Sequence, residues 1–270
     1  MQKDCLRRFL FQDSGVRGEW VNLRSSWQAL KEKHRYPAAV QQQLGQAMAA
    51  VAMLSATVKF KGSMIMQVQG DGKMRALVAQ CTHDRKIRGM ARFEPEIESC
   101  KPDEIYGKGR LVLTIESEGA EPYQGIVPLG GQNLAAVLQN YFSQSEQLKT
   151  RLWLYADEFQ SAGLLIQELP SQEEHKADWE RIEMLADTVT EREMLTLPCE
   201  DMLYRLFNEE KVMLYEPEGV LFRCSCSLAK LENTLYSLGR SAMEDILKER
   251  DDIEVECEFC NHQYRFDKVD

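Results

Sequence analysis

Four of the eight cysteines in this 270-residue chain stand as two close pairs within its last fifty positions, Cys224-Ser225-Cys226 and Cys257-Glu258-Phe259-Cys260. Thiolates at such spacing can all reach one tetrahedral zinc ion, because each pair sits on a turn and the thirty residues between them need fold back only once. All-thiolate ligation also makes the site oxidisable. Each pair is close enough in sequence to become its own disulfide. Cys257 with Cys260 closes readily, whereas Cys224 with Cys226 makes a tighter and more strained ring, so the spacing predicts that it oxidises second. A disulfide sulfur no longer donates as a thiolate, and a site that loses donors loses its metal. A module this small has little core, while a structural zinc site contributes roughly 10–16 kcal/mol of apparent binding free energy. The metal therefore decides whether the module folds. His262 is a nearby alternative ligand, but four thiolates already complete the tetrahedron. A purely structural zinc site, with no redox role, fits the same spacing.

The elements that must position these cysteines divide the chain in three. Residues 1–170 read as an α+β domain: a β-sheet with packed helices. After Pro37, residues Val40, Leu44, Met48, Val51 and Leu54 recur at helical steps, which predicts a helix with one buried face, its alanines suited to close packing on a sheet. Met64–Gln69 and Ala76–Ala79 flank Gly70-Asp71-Gly72-Lys73 as a hairpin. Further strands are expected over Ile87–Phe93, Arg110–Ile115, Tyr123–Val127, Arg151–Ala156 and Leu164–Leu169, with a helix through Leu134, Val137, Leu138, Tyr141 and Phe142 laid across the sheet. Residues 171–220 carry three short helices, marked by Trp179, Ile182 and Leu185, by the capping box from Thr190 to Glu193, and by Met202, Leu203, Leu206 and Phe207. They have few ways to form a core of their own and read as a linker that leans on another surface. Residues 221–270 hold the cysteine module. Ser227 opens a helix of Leu228, Leu231, Leu235 and Leu238 that Gly239 ends, Ser241–Glu244 is a second capping box, and a hairpin of Ile253, Val255, Tyr264 and Phe266 carries the second pair.

Charge is uneven along the chain. Lysines and arginines number 21 against 18 acidic residues up to position 170, 5 against 14 in the linker, and 7 against 11 in the last segment. An acidic linker beside a slightly basic domain is placed to dock there, and an acidic cysteine module argues against a nucleic-acid finger. No Gly-x-x-x-x-Gly-Lys-Ser/Thr or Gly-x-Gly-x-x-Gly loop proposes a nucleotide site. Neither a His-Glu-x-x-His helix nor a Gly-x-Ser-x-Gly elbow is present, and His34, His83, His175 and His262 are scattered, so no catalytic constellation emerges and the chain is not expected to be an enzyme. The N-terminus lacks a signal-peptide run and no stretch reaches membrane-span length, so a soluble, cytoplasmic protein without a membrane partner is expected. In that reducing compartment Cys5, Cys81, Cys100 and Cys199 are expected to be inert thiols.

The chain resembles, end to end, the thirty-three-kilodalton heat-shock proteins, the redox-regulated bacterial chaperones. The resemblance lies in Phe11-Gln12-Asp13-Ser14-Gly15-Val16-Arg17-Gly18-Glu19, in Tyr123-Gln124-Gly125-Ile126-Val127-Pro128-Leu129, in Tyr141-Phe142-Ser143-Gln144-Ser145-Glu146-Gln147-Leu148, and in the two cysteine pairs. It implies an ATP-independent holdase in which Cys224, Cys226, Cys257 and Cys260 bind one zinc ion when reduced and the linker covers an apolar client-binding surface. Oxidants would then convert Cys257/Cys260 to a disulfide, release zinc, loosen the linker and close Cys224/Cys226. The exposed surfaces would bind unfolding client proteins and favour a homodimer. Candidate client-contacting residues are Trp179, Ile182, Leu203, Leu206 and Phe207. Two other classes make distinct demands. A zinc-ribbon nucleic-acid binder needs a basic face around the cluster, and a dithiol oxidoreductase needs a thioredoxin-like βαβ setting.

Overall fold

Apolar residues on both faces of the first two strands require cover on both sides, and the fold supplies it with a helix on one face and the linker on the other. The computed structural model describes residues 4–98, 101–130, 133–169, 176–238 and 252–266. Strands β1 (Cys5–Phe11) and β2 (Val16–Leu23) pair antiparallel. Short α1 (Ser25–Lys31) leads to the long α2 (Ala38–Thr57). The meander β3 (Gly62–Gly70), β4 (Met74–Thr82) and β5 (Lys86–Phe93) follows, then α3 (Pro102–Tyr106), β6 (Gly109–Ser117) and β7 (Tyr123–Leu129). Next, α4 (Leu134–Tyr141) runs into a single π-helical turn (Phe142–Glu146) before β8 (Thr150–Ala156) and β9 (Ser161–Glu168). The expected Asp-Gly hairpin is β3–β4, and each strand expected from β5 to β9 is found within a residue or three of its predicted bounds. Strands β1 and β2 were not anticipated. Their pattern has no clean alternation because both faces are buried.

The linker helices α5 (Lys176–Ala186), α6 (Glu191–Thr196) and α7 (Cys199–Phe207) are followed by the short strands β10 (Val212–Leu214), β11 (Glu218–Gly219) and β12 (Leu221–Phe222). Helix α8 (Leu228–Leu238) and the hairpin β13 (Ile253–Glu256) and β14 (Gln263–Phe266) complete the described chain. Gly239 and the second capping box, Ser241–Glu244, lie outside the described residues. One sheet has the order β10-β1-β2-β9-β8, with β11 also on β1, and the other β12-β5-β4-β3-β6-β7.

Helix α2 lies between the two sheets, touching β2, β8 and β9 of one and β3, β4 and β5 of the other. The expectation of one buried face is therefore corrected: all nine residues from Ala47 to Ser55 are buried, around the whole circumference. The alanines serve that double contact, since two sheets can approach one helix closely only where its side chains are short. At the helix's C-terminal end the Arg85 guanidinium donates to the Ser55 carbonyl at 3.1 Å and pairs with Glu218 at 2.9 Å, and Arg17 donates to the Thr57 carbonyl at 3.3 Å. Cations there complement the helix dipole.

Among these arginines sits Glu19, 2% exposed, with Oε2 lacking a hydrogen-bond partner. Burial pushes its carboxyl up to about 7, against the pull of Arg17, Arg8 and Arg85. A carboxylate whose folded pKa is raised binds more protons folded than unfolded, so its charge costs stability as pH rises from about 4.5 through 7. Glu19→Gln should therefore be neutral near pH 4 and stabilising at pH 8, by on the order of 3 kcal/mol at most. Denaturant unfolding of both proteins at the two pH values checks the sign.

The three linker helices cover the outer face of the first sheet. Trp179, Ile182, Met194, Leu203, Leu206 and Phe207 pack with Phe9, Phe11, Val16, Trp20, Leu164 and Ile166 in one buried cluster. Phe9, Phe11 and Phe207 form an aromatic trio with centroids 4.9–6.5 Å apart. Gly18 belongs to this surface: a Cβ there would lie 2.1 Å from the Phe9 ring, so glycine leaves the room that this ring occupies beneath the linker. Ion pairs Arg7–Glu200 at 2.7 Å, Arg151–Glu183 at 3.1 Å and Arg151–Asp187 at 2.7 Å join the basic body to the acidic helices. The capping box of Thr190 and Glu193 forms as expected. Strand β10 then pairs the edge of β1, with Phe9 opposite Leu214 and Phe11 opposite Val212.

Candidate metal centre

The chain passes from the linker to the first cysteine pair by way of both sheets. Strand β11 pairs β1, and β12 runs parallel to β5, with Leu221 opposite Lys86 and Phe222 opposite Ile87. Arg223 N–H donates to the Ile87 carbonyl at 3.0 Å, and the next residue is Cys224. Ser227 accepts from the Lys230 N–H at 3.4 Å and so caps α8, while Lys230 Nζ donates to the Ser225 carbonyl at 2.9 Å. The second pair sits on the β13–β14 turn. Cys260 and Asn261 N–H groups donate to the Cys257 carbonyl at 3.1 and 2.7 Å, and Asn261 takes the left-handed conformation at φ 52° that closes it.

These two turns bring the four Sγ atoms within 4.8 Å of one another. Between the pairs, Cys224 Sγ lies 3.6 Å from Cys257 Sγ and Cys226 Sγ 3.5 Å from Cys260 Sγ. A tetrahedron with Zn–S bonds of about 2.3 Å has edges of about 3.8 Å, close to the two separations between the pairs, so the donor set suits a zinc ion. Four thiolates this close repel one another unless a cation lies among them. Burial opposes ionisation of Cys224, but hydrogen bonds from the Cys226 N–H and the neighbouring thiols pull it down to about 7. Burial and the Cys224 charge hold Cys257 up, and burial with its three thiol neighbours does the same for Cys260. Tyr264 Oη adds a hydrogen bond to Cys226 Sγ at 3.2 Å.

His262 packs its ring edge-on to Tyr264, and the metal-ligating cluster among the described residues consists of the four cysteines alone. Of the solitary cysteines, Cys81 and Cys199 are buried, Cys5 is partly buried, and burial raises the pKa of all three. Cys100 and His175 lie outside the described residues. Trp179, Ile182, Leu203, Leu206 and Phe207, the candidate client-contacting residues, are all under 7% exposed, on the side of the linker that packs against the first sheet. What sequence reasoning missed is the seat of the cysteine module on β5. Arg92 forms a two-pronged ion pair with Glu258, and the Arg88 guanidinium lies 4.1 Å above the Phe259 ring. No local pattern marks two arginines of a strand as partners for a turn more than 160 residues away.

No helix among the described residues is long and apolar enough to cross a membrane. Comparison with known proteins extends the match beyond the cysteines. A family profile described as Hsp33 protein matches residues 4–267. A 33 kDa chaperonin of Nitrosococcus oceani is 60% identical over 268 residues, covering 99% of this chain and 93% of its own length. That of Shewanella woodyi is 42% identical over 271 residues, covering 100% and 95%. The crystal structure of the 33 kDa chaperonin from Thermotoga maritima (heat shock protein 33 homolog) superposes with a TM-score of 0.86 at 23% identity, over 98% of this chain and 95% of that one, and so shares the fold. Sheet pair, linker and cysteine cluster thus fall within one alignment that spans the molecule, and the chain belongs to the Hsp33 chaperone family.

Proposed function

We propose that this protein is an ATP-independent holdase of the cytoplasm, dormant while Cys224, Cys226, Cys257 and Cys260 hold one zinc ion and active once oxidation releases it. The observation that carries the reading is the route of the chain. The helices that cover the apolar outer face of the first sheet continue, through β10, β11 and β12, directly into Cys224. When bound, zinc supplies a tetrahedral crosslink between the two cysteine turns. Cys257 and Cys260 give up two electrons to a peroxide: the S–S bond forms, the O–O bond breaks, and both oxygens leave as hydroxide. Two donors are then gone, and the site no longer holds its metal.

Without that crosslink the hairpin Ile253–Phe266 has little core, and β12 loses the module beyond it. The linker helices, short and acidic, then rest on side-chain packing, a few surface ion pairs and the short β10–β1 pairing. Their release bares Phe9, Phe11, Trp20 and Ile166 on the sheet, and Trp179, Ile182, Leu203, Leu206 and Phe207 on the linker, an apolar surface of the kind that unfolding clients or a second copy would occupy. The acidic surroundings of the cluster and its place between short strands favour neither nucleic-acid binding nor dithiol catalysis.

The test is to treat the zinc-loaded protein with peroxide at elevated temperature, following zinc release and the suppression of aggregation of a thermally unfolding enzyme in one sample. Both should rise together. Zinc departure with aggregation unaffected leaves a structural zinc site and sinks the holdase reading.

A further inference from the structure

The two residues enclosed by the second cysteine pair are its contact with the rest of the molecule. Arg92 Nε and Nη2 donate to the two carboxylate oxygens of Glu258 at 2.7 and 2.6 Å. Arg88 stacks on Phe259, and its Nη1 lies 3.9 Å from Cys224 Sγ, so the same side chain touches both cysteine turns. Asn261, one residue past the pair, donates Nδ2 to the Lys33 carbonyl at 2.5 Å. Arg88 and Arg92 are four residues apart on β5 and project from one face of the sheet. Cys224, which Arg88 reaches, is partly buried, and Cys257 is buried.

We propose that β5 is a docking platform for the Cys257–Cys260 turn, with Arg88 and Arg92 as positioning residues that hold it in its metal-competent shape and slow its conversion to a disulfide. This rests on the redox reading above. Bonding the two sulfurs means closing them from a tetrahedral edge of about 3.8 Å to about 2.05 Å, which pivots the turn and moves the carboxylate and ring it carries. Contacts that fit only the open turn oppose that movement by their own strength. The balance of the step is unchanged: two thiolates lose two electrons, the peroxide O–O bond breaks, and two hydroxides leave. The same pivot undocks the module from the sheet edge where β12 is paired, which carries the event at sulfur toward the linker.

Arg92 and Glu258 are half exposed, 62% and 51%, so a single ion pair contributes modestly, and reversal of one charge has the larger effect because it adds repulsion. Full-length, reduced, zinc-loaded Arg92→Glu and Glu258→Arg should each still bind one zinc per chain. Under fixed peroxide each should release it roughly three- to tenfold faster than the parent, read by a chromophoric chelator and by disulfide mapping. Arg92→Gln, which repels nothing, should quicken release by about twofold. The double exchange, Arg92→Glu with Glu258→Arg, should return the rate toward the parent's, a rescue that a merely structural role does not give. Release from the single variants at the parental rate, or a double exchange as fast as the singles, overturns the docking role. A parent protein that keeps its zinc under peroxide overturns the redox reading and the docking role together, whereas a parent that releases it beside unaffected variants overturns docking alone.

Discussion

Phe207→Ala should switch the reduced, zinc-loaded protein on without any oxidant. Phe207 is 2% exposed, packed edge-on against Phe11 at 4.9 Å and close to Phe9 at 6.5 Å, at the end of the last linker helix. Removing a buried phenyl ring costs about 3–5 kcal/mol. The linker's hold on the sheet is a small difference between large terms. Each buried apolar side chain contributes about 1.5–3 kcal/mol, while ordering each residue of three short helices costs about 1–2 kcal/mol of backbone entropy. Losing about 3–5 kcal/mol from such a balance moves a docked linker to a largely released one. The expected result is suppression of client aggregation in reducing buffer, together with proteolytic nicking between α5 and α7, while zinc stays bound. Glu200→Ala, which loses the Arg7 pair at a 58% exposed carboxylate and no buried packing, is the control and should leave both readouts near the parent's. A Phe207→Ala protein that stays dormant and resists protease removes the linker from the mechanism.

Serine at Cys260 should weaken zinc binding on the order of a hundredfold or more. One of four thiolates is removed from a site whose total is roughly 10–16 kcal/mol, so about 3 kcal/mol is at stake even if the hydroxyl still approaches the metal. The all-serine variant should bind none, and the hairpin Ile253–Phe266 should lose protection against amide exchange because only Ile253, Cys257 and Phe266 of its residues are buried. Competition with a chelator measures the first effect and hydrogen exchange the second. An all-serine protein with a rigid hairpin and a dormant linker contradicts the metal's part in holding either.

Both expectations begin from features that differ in how far the chain displays them. The cysteine spacing, the hairpin at Asp71-Gly72, the Thr190–Glu193 capping box and the amphipathic pattern of α7 are local: the residues that decide them lie within a few positions of one another. Periods of two and 3.6 residues are properties of the backbone, so they survive without knowledge of the fold. Strands β1 and β2 and the full burial of α2 are not local. A strand covered on both faces has no alternation, and a helix between two sheets has no polar stripe.

By itself, then, the amino-acid sequence determined that four cysteines could come within reach of one metal ion and that the helices before them would need a surface. Both follow from short-range chemistry, namely ligand spacing and too little apolar area for an independent core. Only the tertiary structure decided which surface the helices take, that Gly18 must leave room for Phe9 beneath them, and that Arg88 and Arg92 receive the cysteine turn. Those pairings join residues far apart in the chain, and their selection depends on strand register and on which sheet face is left uncovered, quantities that no segment carries alone.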